Sequence, residues 1–100
     1  MKDPELVFHR LVQRDMNGIR RYYTEEASEE VADRFYERFI VLVEKALAQP
    51  TRYHPVHGSL RRVNISGFPY HFLYRSTPTG IRVLVLRHDK RHPEFGLLRR

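Results

Sequence analysis

Residues Leu60–His88, LRRVNISGFPYHFLYRSTPTGIRVLVLRH, decide the fold. Apolar and polar side chains alternate here with a period of two, the spacing of a half-buried strand rather than of a helix. Two turn signals of hairpin length, Ser66-Gly67 and Ser76-Thr77-Pro78-Thr79-Gly80, cut the stretch. Three strands are therefore predicted, Leu60–Ile65, Phe68–Arg75 and Ile81–Arg87, in an antiparallel meander. On the middle strand Phe68, Tyr70, Phe72 and Tyr74 point one way and His71, Leu73 and Arg75 the other; on the last, Val83 and Val85 oppose Arg82, Leu84 and Leu86. One face is expected beneath helices and the other to expose cations, and the pattern leaves open which is which. Alternating aromatics on a central strand are core by default, which places His71 near the exposed cations.

Upstream the period lengthens to that of a helix. Val31, Phe35, Phe39, Leu42, Val43, Ala46 and Leu47 form one apolar stripe, preceded by Ser28 as N-cap with Glu29 and Glu30 in the first turn. Gln49-Pro50 ends this helix, because the residue before proline avoids helical geometry. Val12, Met16, Ile19 and Tyr23 mark an earlier helix, with Arg14, Asp15 and Arg21 outside its apolar face. The connection is short, so the two helices are expected to form an antiparallel hairpin. Leu6-Val7-Phe8 reads as a first strand, Tyr53–Gly58 as a loop, and His88–Arg100 as a tail with Phe95 and Leu97 as apolar anchors. The sum is one α+β domain over residues 1–100: a strand, a helical hairpin, then a three-stranded antiparallel meander packed on the helices.

Charge is concentrated at one end. Residues 51–100 carry ten Lys/Arg against Asp89 and Glu94, whereas residues 1–50 sum to −2, so the formal +6 comes from the second half. Such a field suits a polyanionic partner. Five of the six histidines lie in the same half. There is no cysteine, hence no disulfide, thiolate metal site or cysteine nucleophile. No cofactor is expected, and no metal: His54-x-x-His57 and His88-x-x-x-His92 lack a companion cysteine or carboxylate ligand. The start has no signal-peptide pattern and no apolar run is of membrane-spanning length, so a cytoplasmic location away from membranes is expected.

The order strand, helical hairpin, meander, together with Leu60-Arg61-Arg62, Phe68-Pro69-Tyr70, Tyr74-Arg75, Val85-Leu86, His88, Arg91 and Pro93, resembles the RelE/ParE toxin superfamily. The resemblance covers nearly the whole chain. It implies a small toxin of a bacterial type II toxin–antitoxin (plasmid stabilisation) module, neutralised by a cognate antitoxin. Its implied target is either DNA gyrase, which it inhibits, or messenger RNA on the ribosome, which it cleaves as an endoribonuclease; a basic interaction module or inactive toxin homologue is the third reading. A homo-oligomer is neither required nor excluded.

Site chemistry must separate these targets, because one fold hosts both. A ribonuclease must take a proton from the ribose 2′-hydroxyl, protonate the leaving oxygen and stabilise the charged transition state. For that branch the candidates are His88, Arg75 and Arg91, expected to converge where the last two strands meet the tail. Arg61, Arg62, His71, Arg87 and Lys90 are the candidates for binding nucleic acid or another target. Two departures favour the gyrase branch. Phe95 stands nearest the tail position where many of these nucleases present a tyrosine, and the basic half offers no glutamate in its strands as general base.

Overall fold

The ends of the helices are set by local chemistry, and the helices in turn decide which side of the sheet is buried. The computed structural model describes residues 3–100. In chain order the elements are β1 (Glu5–Phe8), α1 (Val12–Glu26), α2 (Glu29–Ala48), β2 (Pro55–His57), β3 (Leu60–Asn64), β4 (Tyr70–Thr77) and β5 (Gly80–His88). Ser28 caps α2 as expected: its Oγ accepts a hydrogen bond from the Val31 N–H at 3.2 Å. Only Ala27 and Ser28 separate the helices. They fold back as a hairpin, with an exposed Arg20–Asp33 ion pair at 2.6 Å that adds little to stability.

The strands form one sheet in the order β1-β5-β4-β3-β2. β3, β4 and β5 make the antiparallel meander, while β1 lies parallel to β5 with Leu6 opposite Ile81 and Phe8 opposite Val83. Gly80 permits that approach, since a Cβ there would fall 1.9 Å from the Glu5 carbonyl oxygen. The middle strand is shifted from its expected bounds. Phe68 and Pro69 belong to the preceding turn, and β4 runs on to Thr77 because Ser76 and Thr77 pair with Ile81 and Gly80. The histidine-rich loop contains a further edge strand, β2, whose Pro55 is tolerated because proline is accepted at sheet edges.

The aromatic face of β4 is the one beneath the helices. Phe72 and Tyr74 are buried with Val83 and Leu86 of β5 against Met16 and Ile19 of α1 and Phe35, Phe39 and Val43 of α2. Phe39 meets Phe72, and Phe35 meets Tyr70, each with ring centroids 5.3 Å apart and near-perpendicular planes.

The opposite face is not the open cationic surface that alternation suggested. Leu60, Leu73, Leu84 and Val85 are buried there under Phe95 and Leu97 of the tail. A bulge accounts for the difference on β5: Leu73 pairs with Val85 and Tyr74 with Val83, leaving Leu84 as an extra residue. One inserted residue reverses every side chain beyond it. Val85 therefore joins Leu84 beneath the tail and Leu86 turns to the helices, the reverse of the expected sides for both. The tail backbone lies directly on this layer. Gly96 has φ +83°, and a Cβ there would come within 2.6 Å of Val85.

Candidate functional site

β5 ends on Arg87 and His88, which leave on opposite faces of the sheet. Arg87 Nε donates to His71 Nε2 at 2.9 Å, and its Nη1 donates to the carbonyls of Pro93 and Phe95 at 2.8 and 2.7 Å. An arginine Nε only donates, so His71 Nε2 must accept. The proton of the neutral ring is then on Nδ1, which donates to Asp89 Oδ1 at 2.8 Å. His71 is 1% exposed. Burial lowers its pKa; the hydrogen bond and charge of Asp89 oppose that, while Arg62 and Arg87 push further down. A buried neutral imidazole held at both nitrogens orients Arg87, and Arg87 straps the tail.

Several other predicted binders are engaged in the same way. Arg61 donates to the carbonyls of Tyr53 and Thr51, pinning the chain that leads into β2. Arg62 bonds Asn64 at 2.9 Å and reaches Asp89 at 3.4 Å. Among the predicted target-binding residues only Lys90, exposed in the turn after β5, has a side chain with no partner among the described residues.

His88 and Arg91 do come together. They line a groove of about 330 Å³ between α1 (Asp15, Gly18, Ile19, Tyr22) and the end of the sheet, with Tyr70 and Phe95 completing its wall. The His88 ring stands edge-on to Tyr70 at 5.0 Å, and its Nδ1 accepts from the Lys90 N–H at 3.0 Å. The Arg91 guanidinium lies 4.1 Å above the Phe95 ring. Arg75 is elsewhere. It pairs with Arg82 and Leu60, whereas His88 pairs with Tyr70, five residues along β4. At about 3.3 Å per residue that is a separation of roughly 17 Å, so the expected convergence of Arg75 with His88 and Arg91 does not occur.

Sequence reasoning missed the most buried ion pair. Asp15, expected outside the apolar face of α1, has a side chain only 7% exposed. It accepts from Arg99 Nη1 and Nη2 at 2.6 and 3.1 Å and from the Leu86 N–H at 3.1 Å, while Arg99 also donates to the Leu84 carbonyl. β1 stops at Phe8, level with Val83, so β5 beyond that point has an uncovered edge. Asp15 and Arg99 occupy it. The signal was present: Asp15 stands three residues after Val12 and four before Ile19, on the buried side of the helix.

The fold, a strand, a helical hairpin and a meander, places the chain in the RelE/ParE class. A solved structure described as the chromosomal ParDE toxin–antitoxin system from P. aeruginosa superposes with a TM-score of 0.75 over 86% of this chain and 96% of that one, at 17% identity. Sequence then narrows the class. The family model for the ParE toxin of the type II toxin–antitoxin system parDE matches residues 6–93. Toxin ParE2 of Mycobacterium tuberculosis, in strains H37Rv and CDC 1551, is 30% identical over 86 residues, covering 85% of this chain and 81% of that protein. The chain belongs to the ParE toxin family and is a toxin of the type II class, whose neutralising partner is a cognate antitoxin.

Proposed function

We propose that this toxin acts by inhibiting DNA gyrase and does not cleave messenger RNA on the ribosome. The carrying observation is the dispersal of the groups a ribonuclease must gather. Arg75 is at the other end of β4 from His88, and His71 is buried between Arg87 and Asp89. His88 and Arg91 face a groove whose tail wall is Phe95, which has no hydroxyl; the phenols in the groove, Tyr22 and Tyr70, come instead from α1 and the start of β4. Membership of the ParE family supports the same reading. The decisive experiment is induced expression without antitoxin, with plasmid supercoiling and messenger-RNA ends followed in the same cells. Loss of negative supercoiling with unchanged RNA ends is expected; new RNA ends inside ribosome-bound messages would replace gyrase with the ribosome as the target.

For the antitoxin, the occupied surface is inferred to be the helical hairpin. An apolar groove of about 240 Å³ runs between β1 and the helices, lined by Phe8, Met16, Tyr36, Phe39 and Ile40. Phe8 and Tyr36 are exposed there. An amphipathic segment would cover them, and an acidic flank would add salt-sensitive attraction. Co-purification of the neighbouring gene product at low ionic strength tests this, and failure to co-purify would remove it.

A further inference from the structure

Gly18 stands in the middle of α1, where glycine is the poorest helix former after proline. Packing does not call for it, since a Cβ added there would meet nothing within 4 Å. What the missing side chain leaves open is the groove of about 330 Å³ that α1 forms with the end of the sheet and the tail. A helix weakened at a position that keeps a groove open marks the groove as a place for a ligand. Its polar groups define the ligand's chemistry. The carboxylate among them, Asp15, is taken by Arg99 and the Leu86 N–H, and Arg87 is tied to His71 and the tail carbonyls. What remains donates. The Arg91 guanidinium, lying over Phe95, makes no hydrogen bond or ion pair among the described residues. His88 Nδ1 accepts from the Lys90 N–H, so the proton of the neutral ring is on Nε2. Burial raises the pKa of the Tyr70 phenol, which keeps its O–H as a donor. Ile19, Leu86 and Phe95 make the rest of the wall apolar.

A lining of donors and one uncommitted cation, set in an apolar wall with its carboxylate already engaged, fits an anion attached to an apolar group. We infer that the groove takes a segment of the target protein in which a carboxylate flanks a large apolar side chain, the carboxylate meeting Arg91 and the apolar group lying over Gly18. A nucleic acid strand fits less well. The Phe95 ring already has the guanidiniums of Arg91 and Arg99 at 4.1 and 5.3 Å from its centroid, and Tyr70 is buried with His88 edge-on to it. Tyr22 is the exposed ring left for a base, and one cation in the groove does not track a phosphate backbone. That gyrase supplies the segment rests on the gyrase reading; the ligand chemistry of the groove does not.

The test titrates the full chain with a capped peptide in which glutamate flanks phenylalanine, followed by NMR shifts of the backbone amides around Gly18 and Arg91. The shifts should saturate, and the same peptide with glutamine for glutamate should bind about tenfold more weakly, the scale of one charge-assisted hydrogen bond. Arg91→Gln should weaken binding by a similar factor. Gly18→Leu should fill the groove and abolish binding while raising the melting temperature, a combination that misfolding would not give. Arg34→Gln, on the exposed side of α2, should change neither. The proposal is overturned if the parent shows no shifts, if the glutamine peptide binds as well, if Gly18→Leu binds like the parent, or if a short single-stranded oligonucleotide shifts the same amides more strongly than the peptide. Supercoiling by the gyrase holoenzyme is then measured with the same variants, and Gly18→Leu and Arg91→Gln should inhibit less. Full inhibition by Gly18→Leu together with lost antitoxin co-purification would hand the groove to the antitoxin and also overturn the proposal. No inhibition by the parent, with peptide binding intact, defeats the gyrase reading and leaves the ligand chemistry of the groove standing.

Discussion

The two faces of the sheet are buried by different means. The helix side is covered by side chains at helical spacing, Met16, Ile19, Phe35, Phe39 and Val43, packed on Phe72, Tyr74, Val83 and Leu86. The tail side has a smaller apolar layer, Leu60, Leu73, Leu84 and Val85 under Phe95 and Leu97, and is held down by arginines bonded to backbone carbonyls. One face relies on area removed from water, the other on charge-assisted hydrogen bonds in a partly dry setting. The basic excess of residues 51–100 follows in part from that division. Arg61, Arg82, Arg87 and Arg99 are spent on carbonyls of the loop before β2, of β5 and of the tail. Much of the charge that looks like a ligand surface is structural.

The largest effects should come from the helix side. Phe35→Ala and Phe39→Ala should each destabilise by about 3–5 kcal/mol, because both are essentially fully buried and meet rings of the sheet. Denaturant titrations measure this directly. If both variants unfolded at the parent's midpoint, the apolar face would not be the stronger of the two.

On the tail side the most damaging single change should be Asp15→Ala, at about 3 kcal/mol. It leaves Arg99 without its partner at an 11% exposed side chain and the Leu86 N–H without an acceptor. The change should also make the tail susceptible to protease before the rest of the domain unfolds, a pattern that core truncation would not give. Cleavage of the tail at the parent's rate would show that Asp15 does not anchor it.

The difference between the faces also explains how far the fold was legible. Helical spacing in α2 and alternation in β4 are local signals: the first marks Phe35, Phe39, Val43 and Ala46 as buried, and the second puts Tyr70, Phe72 and Tyr74 on one face, although Phe68 lies in the turn before the strand. The run Ile81–Leu86 offers mostly apolar residues on both sides, so nothing in it marks the bulge, and the phase of Val85 and Leu86 was reversed. β2 is three residues long and exists through its pairing with β3, a contact that no local pattern encodes. The candidate site fared worse for the same reason. Arginines were recognisable as cations, but whether each meets a carbonyl, a carboxylate or water depends on the path of the tail. His88 and Arg91, close in sequence on one turn, line one groove; Arg75, remote in sequence, lies at the other end of β4.

A smaller effect separates His71 from an ordinary surface histidine. Its pKa is lowered in the folded state, chiefly by burial, so the unfolded chain takes up a proton first as pH falls. The stabilising contribution is full above the ordinary value of 6.5, and declines as pH drops below it toward the folded-state value. Stability measured as a function of pH should therefore fall on acidification, and His71→Gln should flatten that fall. His9 shifts in the same direction, again mainly through burial, so the informative quantity is the difference between variant and parent. A curve for His71→Gln parallel to the parent's would mean that the Arg87–His71–Asp89 contacts do not hold the imidazole neutral.

The smallest expected effect carries the most information about activity. His88 is partly exposed at the mouth of the groove, and its Nδ1 is already taken by the Lys90 N–H. In a ribonuclease its removal would cost a factor on the order of 10²–10⁴ in cleavage, the usual share of a general acid or base. In a gyrase inhibitor it is one contact among several, and His88→Ala should leave toxicity nearly unchanged. Arg91→Ala differs: it removes a charge from the groove and the cation lying over Phe95, so it should weaken target binding while the strap from Arg87 keeps the tail in place. Growth after induction without antitoxin, with parent, His88→Ala and Arg91→Ala expressed to equal levels, compares the two. Toxicity abolished by His88→Ala but kept by Arg91→Ala would mean that proton transfer, and not adhesion, is what the groove between α1 and the tail performs.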